Sequence, residues 1–289
     1  MGARCDLAVD MAGENPGAEG FERERVEGRF GVVKECISVN DEAAQKRTGI
    51  ACGKYITLTR GGNAATDKDE KTYFIRVLAK AIREVLYSRV KNRPVSVLVI
   101  GLGNGFMTAD ALGKRVAEKI IVTRQFGISD GLNSVSAFAA GVSGITGIDS
   151  FEVVSGLISE VKPDAVLCVD ALSAFRAERI GRAYQVTDTG IRAGGGAGKP
   201  NASKIDESTV GVPVVAVGVP FVVSAEKLFR EIYGENKGSE AICVAKEMFL
   251  TPRDVDAILA ECSDVVAAAI NCALQPSLTV EDSFLLMGL

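Results

Sequence analysis

The chain has 289 residues, 47% of them hydrophobic, with 31 glycines, 8 prolines and a formal net charge of -4. That length suits one large α/β domain or two small ones with a sizeable core. The interleaved acids and bases argue against a nucleic-acid binder, which carries a basic stripe.

No run of about 18 apolar residues predicts a membrane span. The start, Met1-Gly-Ala-Arg-Cys-Asp6, has no hydrophobic leader, so the expected location is the cytoplasm. Residues 1–28 are polar and glycine-rich around Asn15-Pro16-Gly17 and read as an irregular arm. Gly31–Val39 and Tyr55–Thr59 read as strands of a β-rich segment over 29–60. Phe74, Val77, Leu78, Ile82, Val85 and Leu86 share one face of a helix. Val95–Ile100 is a short apolar run ending in Gly101-Leu-Gly-Asn-Gly105, and a helix is expected from about Ala109 to Ile121. A helical stretch near 151–161 precedes the apolar run Asp164–Asp170, and Val212–Gly218 is a third such run. Apolar strands alternating with helices predict an α/β fold in three layers: a mostly parallel or mixed sheet with helices on both faces. Its core should span 95–223, with Gly194–Gly198 as a flexible loop. Thr251 as N-cap, Pro252 in the first turn and Asp254 at N3 start a final helix over 251–275. Its stripe is Val255, Ile258, Leu259, Cys262, Val266, Ala269 and Ile270. No repeat or long linker divides the chain, so a single domain over 1–289 is expected.

The seven cysteines show no C-x-x-C spacing and read as reduced, buried thiols. There is no histidine. That excludes Ser-His-Asp and Cys-His catalysis and every His-ligated metal site. Two acids lie where an open parallel sheet binds ligands, outside the carboxyl ends of its strands. Asp170 closes the run Ala165–Val169, and Asp110 follows the glycine turn after Ile100. If the two strands are neighbours, both carboxylates face one crevice. Such a pair can hydrolyse a peptide without histidine, one carboxylate activating water while the other, protonated, donates. Each also has a plainer reading, as a helix cap or the partner of a helix dipole. Gly101-x-Gly103 resembles part of a dinucleotide fingerprint, but its third glycine and later acid are missing. Asn201-Ala-Ser203 is a glycosylation sequon with no export route, and no S-x-x-K context supports a Ser–Lys dyad. Asp188 could reach the same crevice or order its own turn.

Several segments resemble the germination protease of spore-forming bacteria. They are Asp6-Leu-Ala-Val9 after Arg4, Gly101-Leu-Gly-Asn104 with Thr108-Ala-Asp-Ala-Leu-Gly113, and Val122-Thr-Arg124. Pro163-Asp164, Val169-Asp-Ala-Leu172, Thr187-Asp-Thr-Gly-Ile191 and Val212–Pro220 continue the series. Leu250–Asp256 and Ile270–Leu274 complete it, in order along nearly the whole chain. The resemblance implies an endopeptidase that begins the breakdown of small acid-soluble spore proteins at germination. It also implies a fold shared with hydrogenase maturation endopeptidases, a homotetramer and location in the spore core. Asp110 and Asp170 then fall on the family's two proposed catalytic aspartates, and Gly103, Asn104, Asp188 and Arg192 are the candidate substrate-binding residues. No cofactor and no metal are expected, because the histidine ligand of the hydrogenase enzymes has no counterpart here. Two other readings stand beside this one: a carboxylate-ligated metallopeptidase and a catalytically idle α/β binding module. The family's zymogen propeptide precedes the Arg-x-Asp-Leu-Ala-Val segment, where this chain has only Met1-Gly-Ala3. Arg192 replaces a histidine of the family pattern. The basic loop after the glycines becomes Lys199–Ser203, and an insertion at about 224–248 is shortened.

Overall fold

The computed structural model describes residues 5–13, 19–61, 68–90, 95–127, 132–192, 203–233 and 248–289, apart from the side chains of 230–233. The glycine loop 194–198, Lys199–Ala202, Asn15–Gly17 and Arg4 lie outside the described residues.

The N-terminal arm is more ordered than its composition suggests. Ala8–Met11 makes one helical turn (α1), and Phe21–Glu27 is a strand (β1) whose residues are exposed except Phe21. Its sequence, Phe-Glu-Arg-Glu-Arg-Val-Glu, lacks apolar alternation because the strand pairs on one side only. Charged side chains on such an edge discourage further pairing. It lies antiparallel to Val33–Val39 (β2). The short helix Glu42–Thr48 (α2) is capped by Asp41, whose side chain accepts from Ala44 N, and ends at the left-handed Gly49. Gly53–Thr59 (β3) leads to the long helix Lys68–Arg89 (α3).

The doubly wound part follows. It runs Ser96–Leu102 (β4), Leu112–Ala117 (α4), Ser134–Gly141 (β5), Ser143–Thr146 (α5), Ser150–Val161 (α6) and Ala165–Ala174 (β6). Asp149 and Glu152 form a capping box at the start of α6. Ala183–Thr187 (β7) comes next, then the small hairpin partners Ile191–Arg192 (β8) and Lys204–Ile205 (β9), and Glu207–Val210 (α7). Val214–Ser224 (β10), Ala225–Tyr233 (α8), Phe249–Leu250 (β11), Val255–Leu274 (α9) and Val280–Met287 (α10) complete the chain. The expected helix over 109–121 is thus much shorter, and β6 and β10 run further than their apolar cores.

The main sheet has the order β1-β2-β3-β7-β10-β6-β4-β5, with β11 on β10. β10, β6, β4 and β5 are mutually parallel, while β1, β2, β3 and β7 pair antiparallel, as β7 does with β10. The sheet is therefore mixed, half of it antiparallel. One face carries the main core, in which α3, α4 and α9 cover Ile56, Val97, Val99, Leu167, Val169, Val186, Val217 and Phe221. On the other face α6 covers the parallel half, around Leu98, Ile100, Val166 and Cys168. α1 and α2 cover the antiparallel half there, around Ile37, Val39 and Tyr55.

α9 is long and apolar enough to cross a membrane by composition alone, but 72% of its most apolar window is buried inside the molecule. It does not begin with the expected cap. Asp254 is the N-cap residue and makes no side-chain cap, while the Thr251 hydroxyl donates to Phe221 O on β10.

Candidate functional site

β4 connects to β5 on one side through α4 and, through β5 and α6, to β6 on the other. Its carboxyl end is therefore a topological switch point, where open α/β sheets leave a crevice. The β4–β6 ladder ends at Gly101 opposite Val169, so Asp170 is the first β6 residue with no β4 partner. It sits within the strand, which continues to Ala174 on the β10 side. The two strands are neighbours, as the crevice argument required.

Asp110 reaches this place through a tight turn. Residues Thr108–Asp110 form a single 3-10 turn before α4, and Ala111 rather than Asp110 is the N-cap residue. The Asp110 carboxylate folds back instead, its Oδ2 accepting the Asn104 N–H at 2.7 Å. Gly103 adopts φ +99, and a Cβ there would lie 2.2 Å from Asp110 O. The Asn104 side chain accepts from Phe106 N at 2.9 Å and holds the same loop. The anion at this glycine turn is therefore the protein's own carboxylate, which explains why a dinucleotide fingerprint is only half present. At the start of α4, Gly113 packs so closely that a Cβ would lie 2.2 Å from Leu102 O and 2.6 Å from Val169 O. That contact sets the Asp110 loop over the carboxyl ends of β4 and β6.

Asp170 is 7% exposed, and its Oδ1 accepts the N–H of its neighbour Ala171. Burial drives its pKa well above the ordinary carboxylate range, and the charge of Asp110 pushes it further. Burial also raises Asp110, while the Asn104 N–H opposes the rise. Of the two, Asp170 holds its proton more firmly.

Asp170 forms the floor of a cleft of about 230 Å³, walled by Asp6, Ala8, Tyr55, Thr187, Gly190 and Arg192 among others. Across the sheet Asp170, Gly218 and Gln185 make one row, because Gly218 pairs with both neighbours. The glycine leaves space where a side chain would press on Leu172. Arg192, on β8, lines the cleft. Asp188 is drawn into the frame: its Oδ1 accepts Lys54 N at 2.8 Å and ties β7 to the start of β3. Phe106 and Met107, on the loop that carries Asp110, are 82% and 58% exposed.

Sequence reasoning gave no role at the site to Asp6, Ser173, Gln185 or Gly218. Gln185 alone carried a signal, a polar residue inside an apolar strand. The others acquire meaning only from strand order. Among the described residues no three His, Cys, Asp or Glu side chains cluster as metal ligands.

Comparison with known sequences is consistent across the chain. The family profile described as germination protease matches residues 15–232. A germination protease of Clostridium tetani is 34% identical, with 98% of this chain and 98% of that protein aligned. One of Caldanaerobacter subterraneus subsp. tengcongensis is 35% identical, over 98% of this chain and 97% of its own. Among solved structures, the NiFe hydrogenase maturation protease HycI of Thermococcus kodakarensis KOD1 is similar over 66% of this chain and 98% of its own. Its identity is 18% and its TM-score 0.37.

Proposed function

The chain belongs to the germination protease family, and from that premise we propose that this peptidase works by a carboxylate pair, Asp110 and Asp170, and acts on small acid-soluble spore proteins. The observation that carries the mechanism is the burial of Asp170 at the switch point, where it feels the charge of Asp110. A carboxyl that keeps its proton beside one that is ionised is an acid–base pair. Asp110 takes a proton from water as the water oxygen adds to the scissile carbonyl carbon. Asp170 gives its proton to the carbonyl oxygen, and the proton held by Asp110 passes to the leaving amine as the C–N bond breaks. The carbonyl re-forms as the gem-diol hydroxyl returns its proton to Asp170.

The substrate segment lies in the cleft over Gly218, its flanks met by Arg192 and the exposed Phe106 and Met107. Gly103 and Asn104 serve the site by shaping the Asp110 loop, and Asp188 by fixing the β3–β7 wall. Assembly as a homotetramer and action in the spore core are supported by the family resemblance.

The test is incubation with a purified small acid-soluble spore protein, with and without a chelator. Discrete cleavage unaffected by the chelator is expected. Asp110→Asn and Asp170→Asn should each lower kcat by about 10²–10⁴-fold, the usual worth of a general acid or base. An intact wild-type substrate sinks the peptidase reading. Loss of cleavage with chelator replaces the dyad by a metal-bound water.

A further inference from the structure

The parallel half of the sheet carries a second built feature, beside Asp110 and away from the cleft over Asp170. β4 and β5 end together, the last pair of their ladder being Leu102 opposite Gly141. From there the chain leaves toward α4 on one face of the sheet and toward α6 on the other. Neighbouring strands whose loops part in this way leave a crevice between them.

Each bank of that crevice is a short turn braced by its own polar groups. On the β4 side Asn104 O accepts Met107 N at 3.0 Å and Met107 O accepts Asp110 N at 2.8 Å. The Thr108 hydroxyl donates to Asp256 on α9 at 3.0 Å. On the β5 side Val142 O accepts Ile145 N at 2.9 Å. The Thr146 hydroxyl donates to Ile148 O at 3.0 Å and accepts Ile148 N at 3.2 Å. Ser150 then donates to Gly141 O at 3.0 Å and closes the turn on the strand end. Each turn exposes two large apolar side chains: Phe106 and Met107 on one, Ile145 and Ile148, at 49% and 51%, on the other. None of these hydrogen bonds needs an apolar side chain at those positions. Large apolar groups gathered in the open mark a binding surface.

We propose that these four side chains form an apolar platform for the substrate chain where it passes beyond Asp110. The peptidase then selects segments with aliphatic or aromatic side chains on that flank of the scissile bond. The occupant has to be one that comes and goes. Phe106 stands four residues from Asp110 on the same turn, so a permanent partner would close the approach to the carboxylate. Braced turns also bind with little loss of their own freedom, which favours a transient ligand of modest contact area. The inference deepens the peptidase reading and rests on it for the identity of the ligand.

The test changes enzyme and substrate together. On a purified small acid-soluble spore protein, the double variant Ile145→Ser/Ile148→Ser should raise KM by about tenfold or more, the usual worth of lost apolar contacts. Mass spectrometry of the products locates the scissile bond, and peptides spanning it are made with their apolar residues changed to serine on one flank or the other. On one flank that change should cost the wild type about tenfold in kcat/KM and the double variant less than about twofold, because groups in contact are not additive. A variant that is merely less stable loses the same factor on every peptide. Equal losses in both enzymes on both flanks therefore overturn the platform. So does a change of oligomeric state at unchanged KM, which makes the turns a contact between copies. Fluorescence anisotropy of the labelled spore protein reads binding without cleavage. A wild type that binds but does not cleave, with binding weakened about tenfold in the double variant, strikes the peptidase reading and leaves the platform. Cleavage by the double variant with wild-type KM and peptide preference strikes the platform and leaves the peptidase reading. If the double variant fails to fold, Phe106→Ser decides by the same criteria, since that side chain is 82% exposed.

Discussion

Asp170 is a carboxyl group that the fold holds against its own solvation. Its pKa lies well above the value of about 3.9 expected in an unfolded chain, through burial first and the nearby Asp110 second. Between those two values the native state binds more protons than the unfolded state, so stability falls as pH rises through that window. Asp170→Asn has no charge to bury. Its Tm should equal the wild-type Tm in acid, pull ahead as pH rises across the window and hold a constant lead above it. Thermal melts at a series of pH values check this, and parallel curves for the two proteins would contradict the burial of a titrating acid. The sequence marked this residue as a strand-end acid, since an apolar run closing on Asp is visible by inspection, but β6 runs on past it to Ala174. That Asp170 is the first residue beyond the β4 ladder could not be read, because register is set between residues 68 positions apart, such as Gly101 and Val169.

At the scale of elements, helix and strand meet through missing side chains. α4 reaches the carboxyl ends of β4 and β6 only because residue 113 is glycine, with Leu102 O and Val169 O filling the Cβ position. Gly113→Ala should cost about 1–3 kcal/mol, the usual penalty of overpacking, read as a lower urea midpoint. It should also lower cleavage, since the helix carries the Asp110 loop with it. The glycines around 101–105 were legible as a turn, but the helix after them was overextended. Apolar periodicity continues through Ile120, whereas the backbone leaves the helix after Ala117. The start of α9 shows the converse. Thr251-Pro-Arg-Asp254 has the letters of a capping motif, yet the Thr251 hydroxyl is taken by Phe221 O, a partner 30 positions away. Local grammar names candidates for a hydrogen bond, and tertiary neighbours choose among them.

The whole molecule is held together behind the site by a buried amide network. Asn271 on α9 accepts Ile121 N at 2.9 Å and donates to Lys119 O at 3.1 Å and to Ser283 on α10. Gln275 and Asn133 extend it to Thr123 and to the start of β5. The network joins the last two helices to the β4–β5 connection and so fixes the layer on which α4 rests. Asn271→Ala takes the partner from the half-buried Ile121 N–H and Lys119 carbonyl, for a loss of about 1 kcal/mol. Denaturant melts should show a lower midpoint with an unchanged slope, the sign of lost stability rather than altered compactness.

By itself the sequence bounded the chemistry available: without histidine, acid–base work is left to carboxylates, lysine, tyrosine or cysteine, and an apolar run closing on an acid marked a candidate. It also determined the α/β class, because continuous apolar strands between amphipathic helices bury both faces of a sheet. Only the tertiary structure decided that half the sheet runs antiparallel. It alone brought β1, with its charged edge, into the sheet and the N-terminal segment to the cleft beside Asp170. The reason is physical. Charged edge strands and single carboxylates carry no periodic signal, and their meaning comes from the strand edge they complete. Asp6 opposite Ser173 is the clearest case: part of an arm that reads as irregular by sequence, and in the fold an acceptor for the Ser173 N–H and hydroxyl beside β6.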